Sequence, residues 1–193
     1  MSKVIAAISM SLDGFVTGPD VSREQQLGTG GMALHRWVHA PDEHDVELLG
    51  RMAGAAGAVL MGRTSYDLAE GDGGWGDGGP VGAVPCFVLT HEAPDLETVR
   101  ARDVFTFVTD GLGSAVAQAR EVAGERAVAV HGASATQQCL AAGILDEIWI
   151  HLAPLLLGEG VRLFEHVGGQ HELERVDVIP SSTATHLHYR VIR

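Results

Sequence analysis

The stretch AVAVHGASATQQCLAAG, residues 127–143, holds the pattern on which the predicted fold depends. Its opening apolar residues predict a buried strand that ends at His131. A glycine and small side chains follow, and a helical pattern then continues to Gly143, which suits the end of a helix. A helix that begins on small residues leaves backbone N–H groups and the positive end of its dipole uncovered. This turn is therefore suited to bind an anion.

Strands and helices alternate along much of the chain. The sequence predicts strands at 3–10, 58–61, 85–90, 104–108, 127–130, 144–156, 172–179 and 183–192. It predicts helices at 44–55 behind the N-cap Asp42, and at 63–70, 113–124 and 134–143. Repeated strand-helix units followed by strands alone indicate a single α/β domain over residues 1–193. We expect three layers, with a mostly parallel central sheet and antiparallel strands at its C-terminal edge.

Composition and charge exclude several classes of function. The chain has 193 residues and a formal net charge of −12, which disfavours nucleic acids and anionic membranes as partners. No apolar run approaches the ~20 residues that a membrane span needs. The two cysteines, Cys86 and Cys139, lie far apart, and no secretory signal is recognisable. We therefore expect a cytoplasmic protein with buried free thiols.

Three predicted strand-to-helix turns carry small or polar residues. They are MGRTS at 61–65, LTHEA at 89–93 and HGASAT at 131–136. The carboxyl ends of parallel strands meet at one edge of a sheet, where α/β proteins bind ligands. Arg63 adds a guanidinium suited to phosphate, and Thr90 and His91 add a hydroxyl and an imidazole. A dinucleotide with an extra ribose phosphate would use all three turns, although close packing explains any one of them equally well.

Neither standard phosphate-binding fingerprint occurs in the chain. The absence of G-x-x-x-x-G-K-[ST] excludes a P-loop nucleotide hydrolase, and no predicted strand is followed by G-x-G-x-x-G. The glycine-rich segment 71–82 contains Asp72 and Asp77 but no Lys or Arg, so it would repel phosphate. We interpret it as a mobile flap, in which Trp75 is equally suited to close over a ligand or to anchor the loop.

These segments resemble the dihydrofolate reductase superfamily. MGRTSYD after a strand, a strand ending in LT before His91, and V-x-G-A before a helix are typical of it. The block ILDEIWIHLAPLLLGEGVRLF at 144–164 is more specific. It resembles the reductase domain of the bacterial bifunctional riboflavin-synthesis enzyme and its stand-alone relatives. The resemblance extends from AAISMSLDGFVTG to this block and so covers nearly the whole chain.

The resemblance implies an NADPH-dependent reductase of the dihydrofolate-reductase-like fold. Its substrate would be a small conjugated heterocycle, pterin- or pyrimidine-like, and the family's habit also implies a homodimer. Exposed edge strands at the C-terminus, which need cover, agree with that expectation.

The resemblance also assigns cofactor contacts to residues of this chain. For the adenosine-side phosphates these are Gly62, Arg63 and Thr64, and for the ribose 2′-phosphate they are Thr90 and His91. The pyrophosphate would lie on the turn formed by Gly132, Ala133, Ser134, Ala135 and Thr136. Ala7 and Val16 would flank the nicotinamide.

Two departures from the family pattern bear on the substrate. Dihydrofolate reductases carry an acidic residue ahead of the helix that covers the pterin, whereas MALHRWV offers Leu34 and His35 there. A true dihydrofolate reductase is therefore not expected. His131 stands where riboflavin-pathway reductases have an acidic residue. A reductase of 5-amino-6-(5-phosphoribosylamino)uracil remains the alternative enzyme, and a non-catalytic NADPH-binding protein remains the alternative of another class.

Hydride transfer requires little beyond two aligned rings and one proton. The candidate proton donors or substrate contacts are Asp13, at the mouth of the substrate site, His35 and His131. Each has a structural alternative, since an Asp before Gly is a common turn residue and either imidazole could simply be packed.

The remaining histidines do not predict a metal site. His35 and His39 have the spacing of zinc ligands on a helix, but Pro41 places His44 on a separate element. Neither H-E-x-x-H nor a cysteine pair supports a metal. We interpret His186 and His188, on one face of the last strand, as facing solvent or another subunit.

Overall fold

The central sheet contains eight strands in the computed structural model, which describes residues 2–70 and 74–192. The strands of the described residues, of which β2 and β8 lie outside this sheet, are β1 Val4–Ser11, β2 Phe15–Thr17, β3 Ala56–Gly62, β4 Cys86–Leu89, β5 Phe105–Val108, β6 Ala127–His131, β7 Glu147–Ala153, β8 Val161–Arg162, β9 Leu173–Pro180 and β10 Thr185–Val191. The helices are α1 Arg36–His39, α2 Glu43–Met52, α3 Arg63–Ala69, α4 Leu112–Ala123 and α5 Ala133–Ala141, and a 3-10 turn spans Gly31–His35.

The strand order in the sheet is β5-β4-β3-β6-β1-β7-β10-β9. All neighbouring pairs from β5 to β7 are parallel, whereas β10 is antiparallel to both β7 and β9. This arrangement confirms the predicted parallel sheet with an antiparallel C-terminal edge. The short strands β2 and β8 form a separate antiparallel ribbon.

Both faces of the sheet are covered by helices. On one face α4 and α5 pack on the largest hydrophobic core, which includes Leu60, Val130 and Ile148. On the opposite face lie α1, α2 and α3, where Tyr66 of α3 packs with Val59. Burial on two sides explains why the strand AGAVLMG reads as a continuous apolar run.

The turn LTHEA after β4 is predicted as a strand-to-helix turn, but no helix follows it in the connection to β5. Residues 90–104 form turns rather than a helix, although the two strands are parallel. In this stretch Val99, Ala101 and Val104 are buried, while most of the other side chains are exposed. Pro94 and scattered polar residues leave no apolar stripe of helical period, so the link crosses the sheet without one.

Helix α2 begins with a capping box, as the N-cap prediction for Asp42 requires. The Asp42 carboxylate accepts hydrogen bonds from the amides of His44 and Asp45, both at 3.0 Å, and the Asp45 carboxylate accepts one from the Asp42 amide at 3.0 Å. The second oxygen of Asp42 accepts a bond from the amide of Ser182 at 2.7 Å. Asp42 therefore joins the start of α2 to the turn between β9 and β10.

Two smaller expectations also have outcomes. Cys86 and Cys139 are buried free thiols, as predicted, and burial raises the pKa of each to about 12. Among the described helices, none has the length and apolar character required to cross a bilayer.

Candidate active site

The strand register brings the three predicted ligand-binding turns together. Met61 at the end of β3 pairs with His131 of β6, and Gly62 pairs with Leu89 of β4. The turns after β3, β4 and β6 therefore lie side by side at the carboxyl edge of the sheet. This is the edge where the sequence places one extended ligand.

Helices α3 and α5 both begin at this edge without a side-chain cap. Their N-caps are Gly62 and Gly132, and neither helix has an acidic residue in its first turn. Helix α2, by contrast, is closed by the carboxylates of Asp42 and Asp45. The first-turn amides of the nine-residue helix α5 thus present an uncovered positive end, as its small residues predict.

Gly132 occupies a position that only glycine fits. Its φ is +89° and its ψ is 155°, a backbone region essentially closed to other residues. A Cβ atom there would lie 2.6 Å from Oγ of Ser65. The α3 and α5 turns are therefore in direct contact through the glycine backbone.

The side chains predicted to bind phosphates are partly engaged within the protein. Arg63 donates from Nε to Asp67 at 2.7 Å and from Nη1 to the carbonyl of Glu92 at 3.0 Å, so it bridges the first and second turns. The Thr90 hydroxyl donates to the carbonyl of Glu92 at 2.8 Å. The buried Thr136 hydroxyl donates to the carbonyl of Gly132 at 2.9 Å.

The remaining predicted phosphate contacts divide into exposed and buried groups. The side chains of Thr64, His91 and Ser134 are exposed at the edge. Ala133 and Ala135 are buried and can contribute only their amides. What this edge offers a ligand is therefore mainly backbone N–H groups, helped by exposed hydroxyls and one imidazole.

A mostly apolar cavity of about 430 Å³ lies on the face of the sheet between α2 and the loop that contains Trp75. Ala7, His131 and Trp149 line it from neighbouring strands, and Arg51 lines it from α2. Ala7 therefore faces a space large enough for a ring. Val16 does not line the cavity but belongs to the largest hydrophobic core.

Trp75 both anchors its loop and forms a cavity wall. Its ring stacks 6.1 Å from that of Phe105 and meets His131 edge-on at 5.5 Å. Both alternatives considered for this residue are thus compatible with its position. Residues 71–73 of the predicted flap, with Asp72, lie outside the described residues.

His35 and His131 each have a buried ring nitrogen without a hydrogen-bond partner in the described part of the chain, Nδ1 in both cases. Burial, followed by the charge of His35, lowers the pKa of His131 to about 4. Burial, followed by the charge of His39, also lowers the pKa of His35. Because a neutral imidazole can donate or accept a hydrogen bond, both residues suit contact with a polar heterocycle better than acid catalysis.

Asp13 does not have the surroundings that a proton donor needs. Its carboxylate accepts hydrogen bonds from Oγ of Ser11 at 2.6 Å and from the amides of Leu157 and Gly158 at 3.1 and 2.7 Å. The Ser11 hydroxyl is the main cause that lowers the pKa of Asp13 to about 2, and the amides add to it. An ionised group that ties two loops together fits the structural alternative for Asp13.

The structure also reveals a buried polar chain that the sequence did not predict. Nε2 of His186 lies 2.8 Å from Oδ1 of Asp45, and Nδ1 of His186 lies 2.9 Å from Nδ1 of His151. All three residues are at most 2% exposed, so the interpretation of His186 as a solvent or subunit contact was wrong. Alternation along β10 places His186 on the inner face, but only tertiary structure brings Asp45 to it.

The sequence family described as RibD C-terminal domain matches residues 2–187. The chain belongs to the RibD C-terminal domain family. Membership confirms the resemblance based on the block at 144–164 and makes this chain a RibD-type reductase domain. Among curated proteins, none matches the sequence.

Solved structures confirm the fold of this RibD-type domain. A putative riboflavin biosynthesis protein from Shewanella sp. PV-4 has a TM-score of 0.71 at 22% identity, with 100% of both chains covered. A Thermotoga maritima diaminohydroxyphosphoribosylaminopyrimidine deaminase/5-amino-6-(5-phosphoribosylamino)uracil reductase has a TM-score of 0.61 at 14% identity. It is matched over 99% of this chain and 57% of its own. Dihydrofolate reductase from Enterococcus faecalis, complexed with NADP(H), has a TM-score of 0.59 at 12% identity and coverages of 98% and 96%.

The contact at Gly132 generates a stability prediction. We expect Gly132→Ala to lower the free energy of unfolding by about 3 kcal/mol, because the alanine would be strained in φ and would collide with Ser65. The control is Gly143→Ala, at a φ of +65° with no atom within 4 Å of the new Cβ. It should cost only about 1 kcal/mol. Urea unfolding of both RibD-domain variants measures the difference, and equal losses would contradict the proposed contact.

The buried histidines generate a prediction about pH. Unfolded histidines titrate near pH ~6.5, whereas in the folded chain the pKa of His131 is about 4 and that of His151 about 3. The unfolded state therefore binds more protons as the pH falls from about 6.5 to 4, and stability should decrease over that window. Urea unfolding at several pH values should show a shallower decrease in His131→Gln. The exposed-residue control His44→Gln should retain the parent slope, and an unchanged slope in His131→Gln would contradict the assignment.

Proposed function

We propose that this protein is an NADPH-dependent reductase that transfers a hydride to a small conjugated heterocycle held in the cavity beside Ala7 and His131. One observation carries the proposal: the cavity and the uncapped start of α5 meet at His131, where β6 ends. A ring in the cavity and a diphosphate on α5 would therefore be close neighbours. Membership of a RibD-type reductase family supports this chemistry, and one structural relative is complexed with NADP(H).

The residues present fit a phosphorylated dinucleotide. Gly132 adds no side chain of its own and no side chain caps the first turn of α5, so a diphosphate can approach the amides of residues 133–135. Gly62, Arg63 and Thr64 are proposed at the adenosine-side phosphates, and the exposed His91 with Thr90 at the ribose 2′-phosphate. Ser134 and Thr136 complete the pyrophosphate turn, Thr136 by fixing the carbonyl of Gly132.

The chain itself would position the reacting rings. Bound NADPH would supply the hydride, while Ala7 offers a small side chain over which two rings can approach. His131 and His35 would hold the heterocycle through their unpaired ring nitrogens. Val16 would support the nicotinamide end from within the core rather than by lining the cavity.

Arg51 favours a phosphorylated substrate within this reaction class. Its guanidinium carbon lies 5.9 Å from the centre of the Trp149 ring, on the cavity wall that α2 forms. It is the single cationic residue among the described residues that line the cavity. This observation favours the alternative substrate 5-amino-6-(5-phosphoribosylamino)uracil, the compound for which the reductase from Thermotoga maritima is named.

Two further expectations stay predictions. The non-catalytic NADPH-binding alternative rests on the missing carboxylate near His35, and turnover of any heterocycle would exclude it. The homodimer is supported by β9, an edge strand on which Leu173, Val176 and Val178 are 37–44% exposed.

Cofactor binding provides the first functional prediction. We expect calorimetric titration to show NADPH binding roughly tenfold or more tighter than NADH, because His91 and Thr90 would contact the 2′-phosphate. His91→Ala should reduce this ratio, whereas His166→Ala, another exposed imidazole, should leave it unchanged. If neither nucleotide binds the parent protein, the proposed reductase is excluded.

Arg51 provides the second functional prediction. NADPH oxidation with 5-amino-6-(5-phosphoribosylamino)uracil should show a KM roughly tenfold or more higher in Arg51→Met than in the parent, with little change in kcat. The dephosphorylated ribosyl compound should be turned over equally by both. Arg175→Met, on the exposed strand β9, is the matched control. If Arg51→Met had the same KM as the parent enzyme for the phosphorylated substrate, a contact between Arg51 and the substrate phosphate would be excluded.

A further inference from the structure

The buried chain Asp45–His186–His151 has a hydrogen-bonding direction that can be worked out atom by atom. Oδ2 of Asp45 accepts bonds from the Asp42 amide at 3.0 Å and from the Thr183 hydroxyl at 3.1 Å. Oδ1 faces Nε2 of His186 at 2.8 Å. These contacts lower the pKa of Asp45 against the opposing effect of burial. The carboxylate is therefore an acceptor, and His186 must donate to it from Nε2.

The proton on Nε2 of His186 also fixes which ring donates in the hydrogen bond between His186 and His151. With one proton on each ring, His186 has no hydrogen on Nδ1, which becomes an acceptor. Nδ1 of His151, 2.9 Å away, must be the donor of that bond. The remaining proton position of His151 is then empty, and its Nε2 atom carries a bare lone pair. Asp45 thus sets the tautomer of a ring that it does not touch.

This bare nitrogen has no hydrogen-bond partner among the described residues. His151 is 2% exposed, and its ring lies 4.1 Å from that of Trp37. An unpaired buried acceptor destabilises the folded state. A chain that orients such an atom and then leaves it unpaired is typical of a binding site.

The position of His151 connects this atom to the proposed substrate site. Trp149 lines the cavity, and His151 follows two residues later on the same face of β7. In the pairing of β1 with β7, Ser9 and His151 lie two residues beyond Ala7 and Trp149, toward the carboxyl edge of the sheet. The 3-10 turn that ends at His35 packs on the same two strands, so the imidazoles of His35, His131 and His151 all lie toward this edge. Each of the three has one buried unpaired ring nitrogen. Among the described residues, no group of three His, Cys, Asp or Glu side chains is arranged to hold a metal ion.

We propose that Asp45 and His186 fix His151 as a hydrogen-bond acceptor for a ring N–H of the heterocyclic substrate. The substrate class narrows to heterocycles with an N–H at the ring edge, such as pyrimidine lactams. This inference rests on the proposed reductase function, since it assigns part of the same site.

The first test is the histidine tautomer in the protein without any ligand. Two-bond ¹H–¹⁵N NMR spectra should show His151 protonated on Nδ1 and bare on Nε2. In Asp45→Asn the amide would donate to His186, so both imidazoles should reverse and His151 should carry its proton on Nε2. Thr183→Val removes only the bond to Oδ2 and should retain the parent tautomers. An Nε2-protonated or doubly protonated His151 in the parent would overturn the proposal.

The second test uses uracil, with 1,3-dimethyluracil as a matched probe that lacks ring N–H groups. Uracil added to the NADPH complex should shift the His151 Nε2 resonance, whereas the dimethyl compound should not. Asp45→Asn should bind uracil roughly tenfold or more weakly than the parent, while its affinity for NADPH should be unchanged. If the parent protein has the expected His151 tautomer but uracil and 1,3-dimethyluracil shift the Nε2 resonance equally, the contact between His151 and the substrate would be excluded. Failure of NADPH to bind would instead exclude the reductase function and leave the tautomer result valid.

Discussion

The parallel pairing of β1 with β6 and β7 is the constraint on which the rest of the structure depends. Ala6 pairs with Val130 on one side and with Ile148 on the other, so the next residues, Ala7, His131 and Trp149, form one row across the sheet. That row is the floor of the cavity. Because β6 pairs in turn with β3, the same register sets the turn at Gly132 beside the turn at Gly62. Ring pocket and anion-binding edge are thus positioned by one set of backbone hydrogen bonds.

The features that were predictable from sequence depend on neighbouring residues in the chain. The apolar runs of the strands, the Asp42 cap and the bare start of α5 all follow from local patterns, and each is present. The block at 144–164 also identified the family, because it specifies many positions together. The alternation of strands and helices, each recognisable from its own residues, was enough to predict the parallel sheet.

The features that were missed depend on contacts between distant residues. Asp45 and His186 are 141 positions apart, and neither a helix first turn nor an alternating strand indicates that they meet in the core. Asp13 is two residues from Ser11, but its partners Leu157 and Gly158 come from the other end of the chain. LTHEA at 89–93 was wrongly predicted as a strand-to-helix turn, because parallel strands usually require a helix to cross and this pair does not.

The bond from the Ser182 amide to Asp42 has a consequence for how the molecule can be altered. This bond and the one from Thr183 to Asp45 fasten the first turn of α2 to the hairpin of β9 and β10. Helix α2, which lines the cavity, is therefore hydrogen-bonded to the C-terminal hairpin of the chain. Shortening that hairpin, or binding another molecule to it, would loosen or tighten the position of α2 from outside the cavity. The hairpin is therefore a place where the cavity can be adjusted without changing the residues that line it.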